Sequence, residues 1–330
     1  MLNKIRIGIL GTSNIAANSV IPNLLSLSDK FKIIGIGGRN FENTKLFCSR
    51  FELPAFDSYE SVINSGEIDA VYIPLPNSLH FQWAMKSLEL GLHVMCEKSL
   101  CCNLNEVNRL TNKAREKNLL LMEHFQFRFH RQFTVIKTLI NEGTIGEIRC
   151  INSSFGLPPF NDLKNIRYFS DLGGGALLDA GAYTIKISQL IAKDKLKVLS
   201  SHLHTPPQYE VDIHGSSHLT NSNNNISIHT TFGFDHSYQN SLEIWGSKGR
   251  ITTNRIFTAK PDYNVNIHLE KQEGYNLNEK IIKLSPDNHF KNIWNYFHKG
   301  VKDEHIRLYE LKQNENQASL LTEIKLKASE

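Results

Sequence analysis

The chain lacks any long apolar run: none of its hydrophobic segments approaches the roughly 20 consecutive apolar residues needed to cross a bilayer. Its first residues carry no apolar signal segment and lead directly into a strand pattern, so neither a membrane protein nor an exported one is expected, and the expected compartment is the cytoplasm. Cysteine is sparse. The five present, Cys48, Cys96, Cys101, Cys102 and Cys150, have no metal-ligand spacing, and the adjacent Cys101 and Cys102 are poorly placed to form a disulfide. Reduced thiols in a cytoplasm are the simple reading. An excess of one charge is also missing. The formal net charge of +4 is mild and spread along the chain, which points to neither a nucleic acid nor a membrane partner. The 14 histidines show no metal spacing, so no metal is expected, and neither a nucleophile triad nor an internal repeat is found.

What is present fits a two-domain enzyme. At 330 residues, 40% of them apolar, the chain exceeds what one ordinary core organises. Ile5–Leu10 is a strand that breaks into Gly11-Thr12-Ser13-Asn14-Ile15-Ala16 and then a helical run to about Leu27. A strand, a tight small-residue turn and a helix together aim backbone N–H groups and the positive end of the helix dipole at a pyrophosphate. Gly11 and Ala16 fill the first and third small-residue positions of such a fingerprint, and Ser13 stands at the second. The alternative is a plain strand–helix turn. The next strand, Phe31–Gly37, ends in Gly38-Arg39-Asn40 without the acidic residue that accepts the ribose hydroxyls of NAD. Arg39 instead suits a 2′-phosphate, with Asn40 and Lys45 near it in sequence, so NADP is expected and NAD remains possible. The alternative for Arg39 is a surface residue opening a loop.

Strand and helix patterns then alternate: Asp69–Pro74, Asn77–Leu90, Leu92–Cys96, Asn105–Lys117 and Leu119–Glu123. This predicts a parallel doubly wound sheet over residues 1–122, with ligands at the carboxyl ends of its strands. Pro74, Leu75, Asn77 and His80 fall at one such end and Glu97 and Lys98 at another. Past residue 123 the pattern changes. Arg149–Phe155 reads as a strand and Asp171–Ile191 as a helix with a glycine-rich start. Val198–His204, Asp212–Leu219, Ser227–Phe234, Ser241–Gly246 and Arg250–Thr253 alternate as strands of a mostly antiparallel sheet, with a polar turn over 221–225. Pro286–Val301 reads as an amphipathic helix with Ser285 as its N-cap, and a last helix covers about Asn314–Lys327. The fold class is α/β: an N-terminal Rossmann sheet, then an α+β domain over 123–330 with a large open sheet.

Several motifs carry a resemblance to a known family: Gly11-Thr12-Ser13-Asn14-Ile15-Ala16, Pro76-Asn77-Ser78-Leu79-His80, Glu97-Lys98-Ser99, and the run Gly173 to Tyr183 with Asp179 inside it, followed later by Leu242 to Gly249. In order and spacing they resemble the glucose-fructose oxidoreductase/inositol dehydrogenase/MocA oxidoreductases. Ser99 departs from the proline that members place after the lysine. The resemblance implies NAD(P)-dependent hydride transfer on a sugar, cyclitol or related alcohol. It also implies that Tyr183 is the acid/base, with Lys98 lowering its pKa and holding the substrate oxygen. Asp179 and Tyr183, four residues apart, would share a helix face, with Asp179 binding a substrate hydroxyl or orienting Lys98. Without that context Tyr183 reads as a buried aromatic and Asp179 as a helix-surface charge. Arg128, His130 and Arg167 are candidate substrate contacts.

The tyrosine-type ending resembles sugar 3-ketoreductases and dihydrodiol dehydrogenases, which makes a reductase of a nucleotide-linked keto sugar the leading expectation. A free-sugar, cyclitol or dihydrodiol dehydrogenase is the alternative within the family, and a non-catalytic dinucleotide-binding regulator the alternative outside it. Homodimers or homotetramers through the C-terminal sheet are implied as well. Arg39→Ala should weaken NADPH binding roughly ten- to hundredfold, the worth of a charged hydrogen bond, and leave NADH binding unchanged. Titration followed by reduced-nicotinamide fluorescence measures both.

Overall fold

The computed structural model describes residues 4–162, 164–192, 195–221 and 226–329. The polar turn expected over 221–225 lies, past Asn221, outside them. The chain forms two compact units: one is the chain up to Phe125 together with Phe290–Ala318, the other Gln126–His289 together with the chain from Ser319.

The first unit opens with β1 (Ile5–Leu10), whose Ile7, Ile9 and Leu10 are wholly buried. Gly11 follows at a φ of 120°, a conformation that side-chain-bearing residues rarely adopt. A wide π-type turn, Ala16–Val20, runs into α1 (Ile21–Ser26), where Pro22 takes a first-turn position that needs no N–H. Then come β2 (Phe31–Gly37), α2 (Phe41–Ser49), β3 (Ala55–Phe56), α3 (Tyr59–Ile63), β4 (Ala70–Ile73), α4 (Asn77–Glu89), β5 (His93–Cys96), α5 (Leu104–Glu116) and β6 (Leu121–Glu123). The side chains of Asn40, Ser58 and Asn103 cap α2, α3 and α5 by accepting an N–H from the first turn.

All six strands pair in parallel, in the order β3-β2-β1-β4-β5-β6. The order reverses between β1 and β4, which opens a crevice at their carboxyl ends. The core is aliphatic, with Val62, Val71, Val94, Leu110 and Leu121 wholly buried. The expected strands of this unit agree with the observed ones to within two residues. The sequence pattern gives no sign of α2, β3 or α3, which are short and mostly polar on their outer faces.

In the second unit, α6 (Arg131–Asn141) precedes β7 (Ile148–Gly156) and α7 (Ala182–Ala192). Seven further strands follow: β8 (Leu196–His204), β9 (His214–Asn221), β10 (Ile226–Gly233), β11 (Gln239–Gly246), β12 (Gly249–Asn254), β13 (Val265–Glu273) and β14 (Asn276–Leu284). They form one eight-stranded sheet, β14-β13-β12-β11-β7-β10-β9-β8, in which only β7 and β10 pair in parallel. Buried and exposed positions alternate along β9 and β10, and α7 packs on β7 and β10.

The helix expected over 171–191 begins only at Leu177. Gly173 and Gly175 have φ of 72° and 105°, which no right-handed helix accommodates. A π-type turn, Leu177–Gly181, leads into α7. The hairpin of β13 and β14 has no counterpart in the sequence pattern, because β14 is exposed along almost its whole length and so shows no alternation. The pattern is equally silent on α6.

Two helices close the chain, α8 (His289–Gly300) and α9 (Glu304–Lys327). Ser285 does not cap the first of them. Its hydroxyl accepts from the Arg131 guanidinium at 2.5 Å, and the helix starts later than Pro286. Of the apolar face expected from Phe290, Ile293, Trp294 and Phe297, the last three are wholly buried and Phe290 is half-buried, with Trp294 edge-on to Phe31 and to Tyr72 at 5.7 Å each. α9 starts well before Asn314, because the Asp303 carboxylate accepts the N–H groups of His305 and Ile306. Among the described residues no helix is long and apolar enough to cross a membrane.

Gly37 ends β2 against α3, where a Cβ would overlap the Ser58 carbonyl oxygen. Gly37→Ala should therefore cost about 1–3 kcal/mol of stability, measured as a lower urea midpoint.

Candidate active site

At the carboxyl edge of the parallel sheet, Gly11 donates its N–H to the Gly37 carbonyl at 2.8 Å, and a Cβ on Gly11 would come to 2.9 Å from Leu75. The turn after β1 thus packs on the loop after β4 with no room for a side chain, so a ligand there meets backbone. Ser13, at the second small-residue position, accepts the Ala16 N–H on its hydroxyl at 3.2 Å and so starts the helical turn. Thr12 and Asn14 are exposed, with Ile15 half-buried behind them. Arg39 is exposed at the end of β2 and reaches the hydroxyl of the buried Tyr59. Burial raises the Tyr59 phenol above its ordinary value, and the Arg39 charge opposes the rise. Asn40 uses its side-chain oxygen to cap α2, and Lys45 pairs with Glu42 at 2.9 Å, so neither shares the position of Arg39. This edge fits a dinucleotide: a side-chain-free approach for the pyrophosphate beside a helical start, and a guanidinium at the second strand end.

The β4 and β5 ends carry the next group. Pro74 and Leu75 are buried, and Asn77 opens α4. His80 is fully buried, each of its ring nitrogens 2.8 Å from a backbone carbonyl oxygen, so the ring faces protein and not ligand; burial pulls its pKa below the ordinary imidazole value. Glu97 follows β5. One of its carboxylate oxygens accepts the Tyr72 hydroxyl at 2.7 Å and lies 2.8 Å from Nδ1 of the buried His124. Burial pushes this carboxyl up, but His124, the Tyr72 hydroxyl and the Lys98 charge outweigh it and hold Glu97 below the ordinary glutamate value. Lys98 is half-buried, and the Lys98–Ser99 peptide bond is cis. His124 and Tyr72 are partners the sequence reading missed. Tyr72 sits inside the apolar β4 and His124 directly after β6, so the pattern marks each only as buried.

In the second unit, Tyr183 lies in the first turn of α7 and Asp179 in the π-type turn before it. Wide turns of this kind are frequent at functional positions. The Tyr183 ring is boxed by Phe127, Phe155 and Phe257, with centroids 5.8, 5.2 and 5.6 Å away, and is 8% exposed. Arg167 donates from Nε to the Asp179 carboxylate at 2.5 Å and lies over the Phe160 ring. Burial draws the Arg167 pKa down, and Tyr183 and Tyr168 act against it. Asn165 accepts the Arg167 backbone N–H on its side chain at 3.2 Å.

The glycine-rich lead-in explains how these residues meet. A Cβ on Gly174 would overlap the Arg167 carbonyl, and Gly175 donates its N–H to that same carbonyl at 2.9 Å. Asp212 completes the arrangement. Its carboxylate accepts the Leu177 N–H at 2.7 Å and its carbonyl the Ala176 N–H at 2.8 Å, so it caps the helix that carries Asp179 and Tyr183. Burial pushes the Asp212 carboxyl up. Asp212 escapes the sequence reading because it is far from the helix along the chain.

Of the other expected substrate contacts, Arg128 lies over the Phe129 ring at 5.2 Å and is half-buried. His130 is fully buried and accepts the Gln132 N–H at 3.1 Å as the cap of α6, which makes it part of the framework. All five cysteines are free, and burial raises the thiols of Cys96 and Cys101 well above the ordinary value, which makes them poor nucleophiles. Among the described residues no group of three or more His, Cys, Asp or Glu is arranged to hold a metal.

A Rossmann unit with this edge, followed by a unit presenting a tyrosine, an aspartate and an arginine at the head of one helix, defines an NAD(P)-dependent oxidoreductase. Residues 5–125 match an oxidoreductase family with an NAD-binding Rossmann fold, residues 133–252 match the GFO/IDH/MocA C-terminal domain, and the chain belongs to the Gfo/Idh/MocA oxidoreductase family. It is 34% identical over 98% of its length, and 95% of the relative's, to a dTDP-3,4-didehydro-2,6-dideoxy-alpha-D-glucose 3-reductase of Actinomadura kijaniata. It is 35% identical over 82% of its length, and 81% of the relative's, to the reductase of that name from Saccharopolyspora spinosa. The solved 3-ketoreductase from Actinomadura kijaniata in complex with NADP and TDP-benzene superposes with a TM-score of 0.92, at 33% identity and 98% of each chain.

Because the folded chain depresses the Glu97 pKa, the ionised group stabilises the fold above its unfolded pKa. That contribution is lost as pH falls through the lower folded value. Glu97→Gln should therefore be less stable than the parent near neutrality, and the gap should close below about pH 4. Urea midpoints across that range test the sign.

Proposed function

We propose that this protein is an NADPH-dependent reductase of a keto group on a nucleotide-linked sugar, with dTDP-linked deoxysugars as the first substrates to try. The observation that carries the reading is the near-full-length likeness to dTDP-keto sugar 3-reductases, in a chain that retains Lys98, Asp179 and Tyr183.

The chain's residues divide the work as follows. The turn of Gly11, Thr12, Ser13, Asn14 and Ile15 holds the pyrophosphate, and Arg39 takes the 2′-phosphate. The bound nicotinamide supplies the hydride. Reduction then needs a proton for the developing alkoxide and a positive charge near it. Tyr183 donates that proton from its hydroxyl, and Lys98 holds the substrate oxygen as negative charge builds. A phenol titrates near ~10 when unperturbed, so proton exchange near neutrality needs a cation. Lys98 serves this purpose, and Arg167 adds a charge that acts on Tyr183 within the second unit. Asp179, oriented by Arg167, receives a substrate hydroxyl. The reading includes a cytoplasmic enzyme that forms a homodimer or homotetramer through the eight-stranded sheet.

NADPH oxidation measured with dTDP-linked 3-keto sugars, free sugars and dihydrodiols tests the substrate class. Turnover confined to the free sugars or dihydrodiols would move the assignment to the dehydrogenase branch of the family. Tyr183→Phe should bind NADPH as the parent does and lose about 10²–10⁴-fold in turnover. Unchanged turnover in that variant would remove Tyr183 from the proton step.

A further inference from the structure

His80 occupies the first turn of α4 and is completely buried. Nδ1 stands 2.8 Å from the Ser99 carbonyl oxygen and Nε2 2.8 Å from the Leu75 carbonyl oxygen. The two carbonyls belong to different loops. Leu75 is in the loop after β4, against which the Gly11 turn packs, and Ser99 is the residue after Lys98 in the loop beyond β5. Both partners are acceptors, and the neutral ring that burial favours has one N–H to give, so the Nδ1–H tautomer is the one that holds the Ser99 carbonyl.

We infer that His80 is a positioning residue: it fixes Lys98 by holding the Ser99 carbonyl to the loop that backs the dinucleotide turn. The inference rests on the reading of Lys98 as the residue that holds the substrate oxygen. The flanking amides are anchored by other groups. The amide of Glu97 is anchored to the Ile73 carbonyl at 3.1 Å, and the amide of Leu100 to the Glu123 carboxylate at 2.9 Å. These bonds fix the segment on either side of Lys98–Ser99, and the histidine fixes the carbonyl between them. Displacement by about an ångström is enough to cost roughly 10²-fold in a reaction that depends on orientation.

Two amides separate the two contacts. The side-chain nitrogen of asparagine falls where Nδ1 of histidine does, and that of glutamine where Nε2 does. His80→Asn keeps a donor for Ser99, His80→Gln keeps one for Leu75, and His80→Phe keeps neither. Four measurements are made on the full chain: thermal midpoint, NADPH affinity by fluorescence, amide hydrogen exchange of segment 97–101 without substrate, and kcat and KM.

The expected result is that His80→Phe folds and binds NADPH, with exchange in 97–101 faster by up to about tenfold, the worth of one buried hydrogen bond. Its kcat should fall about 10²-fold with little change in KM. Asparagine should restore both exchange and kcat, and glutamine neither. In a Lys98→Ala background the His80 substitutions should lower kcat no further, since the residue they position is gone.

Unchanged exchange in His80→Phe, equal rescue by glutamine, or a full additional loss in the Lys98→Ala background would each overturn the inference. If His80→Phe does not fold, the comparison of asparagine with glutamine decides alone. Full activity of Lys98→Ala by itself would instead overturn the reading of Lys98 and this inference with it.

Discussion

The parallel pairing of β1 with β2 on one side and β4 on the other is the constraint on which the first unit depends. Parallel strands deliver every carboxyl end to the same edge, so turns far apart in sequence converge there without any local signal linking them. Gly11, Arg39, Leu75, Glu97 and Lys98 all stand at that edge because β1, β2, β4 and β5 stop at it. The closeness of the loops then dictates residue types. Gly11 has no space for a Cβ beside Leu75, and Gly37 has none beside Ser58. Behind the edge, the buried Glu97 carboxylate is met from within the unit by Tyr72 and His124, so its charge is paired.

The second unit positions its residues differently. Its sheet is mainly antiparallel, and the residues proposed for the chemistry sit at the head of a helix laid across that sheet. What brings Asp179, Tyr183 and Arg167 together is a set of close backbone approaches that only glycine permits, locked by a carboxylate from a distant segment. Asp212 satisfies the first N–H groups of the helix, and the Arg167 carbonyl receives the N–H of Gly175. Tyr183 is gripped by three phenylalanines and so presents its hydroxyl from a fixed ring.

What was legible in the sequence follows from these differences. The strands β1, β2, β4 and β5 are apolar runs bounded by turns, and their pattern alone located the edge and its loops. The family motifs singled out Lys98, Asp179 and Tyr183 as the residues proposed for the chemistry. The remainder was hidden for identifiable reasons. Asp212, His124 and Tyr72 act across long sequence separations, from within or just beyond apolar strands, where spacing carries no signal. His80 and His130 were visible as polar residues near the site, but only the fold shows that both are buried and held to backbone. The helix over 171–191 was placed too early because a glycine-rich approach to a helix looks like its first turn. β14 was invisible because a strand exposed on both faces has no reason to alternate.

That last strand has a consequence for how the protein behaves in a crowded solution. β14 is the outer strand of an eight-stranded sheet, a row of main-chain donors and acceptors of the kind another polypeptide can extend. Its Glu279, Lys280 and Lys283 are all exposed. Any chain pairing along it would have to crowd those charges. The same lack of apolar alternation that conceals the strand in the sequence thus leaves charges on the rim of the sheet, beside the exposed Leu277 and Ile281, that weigh against pairing along it.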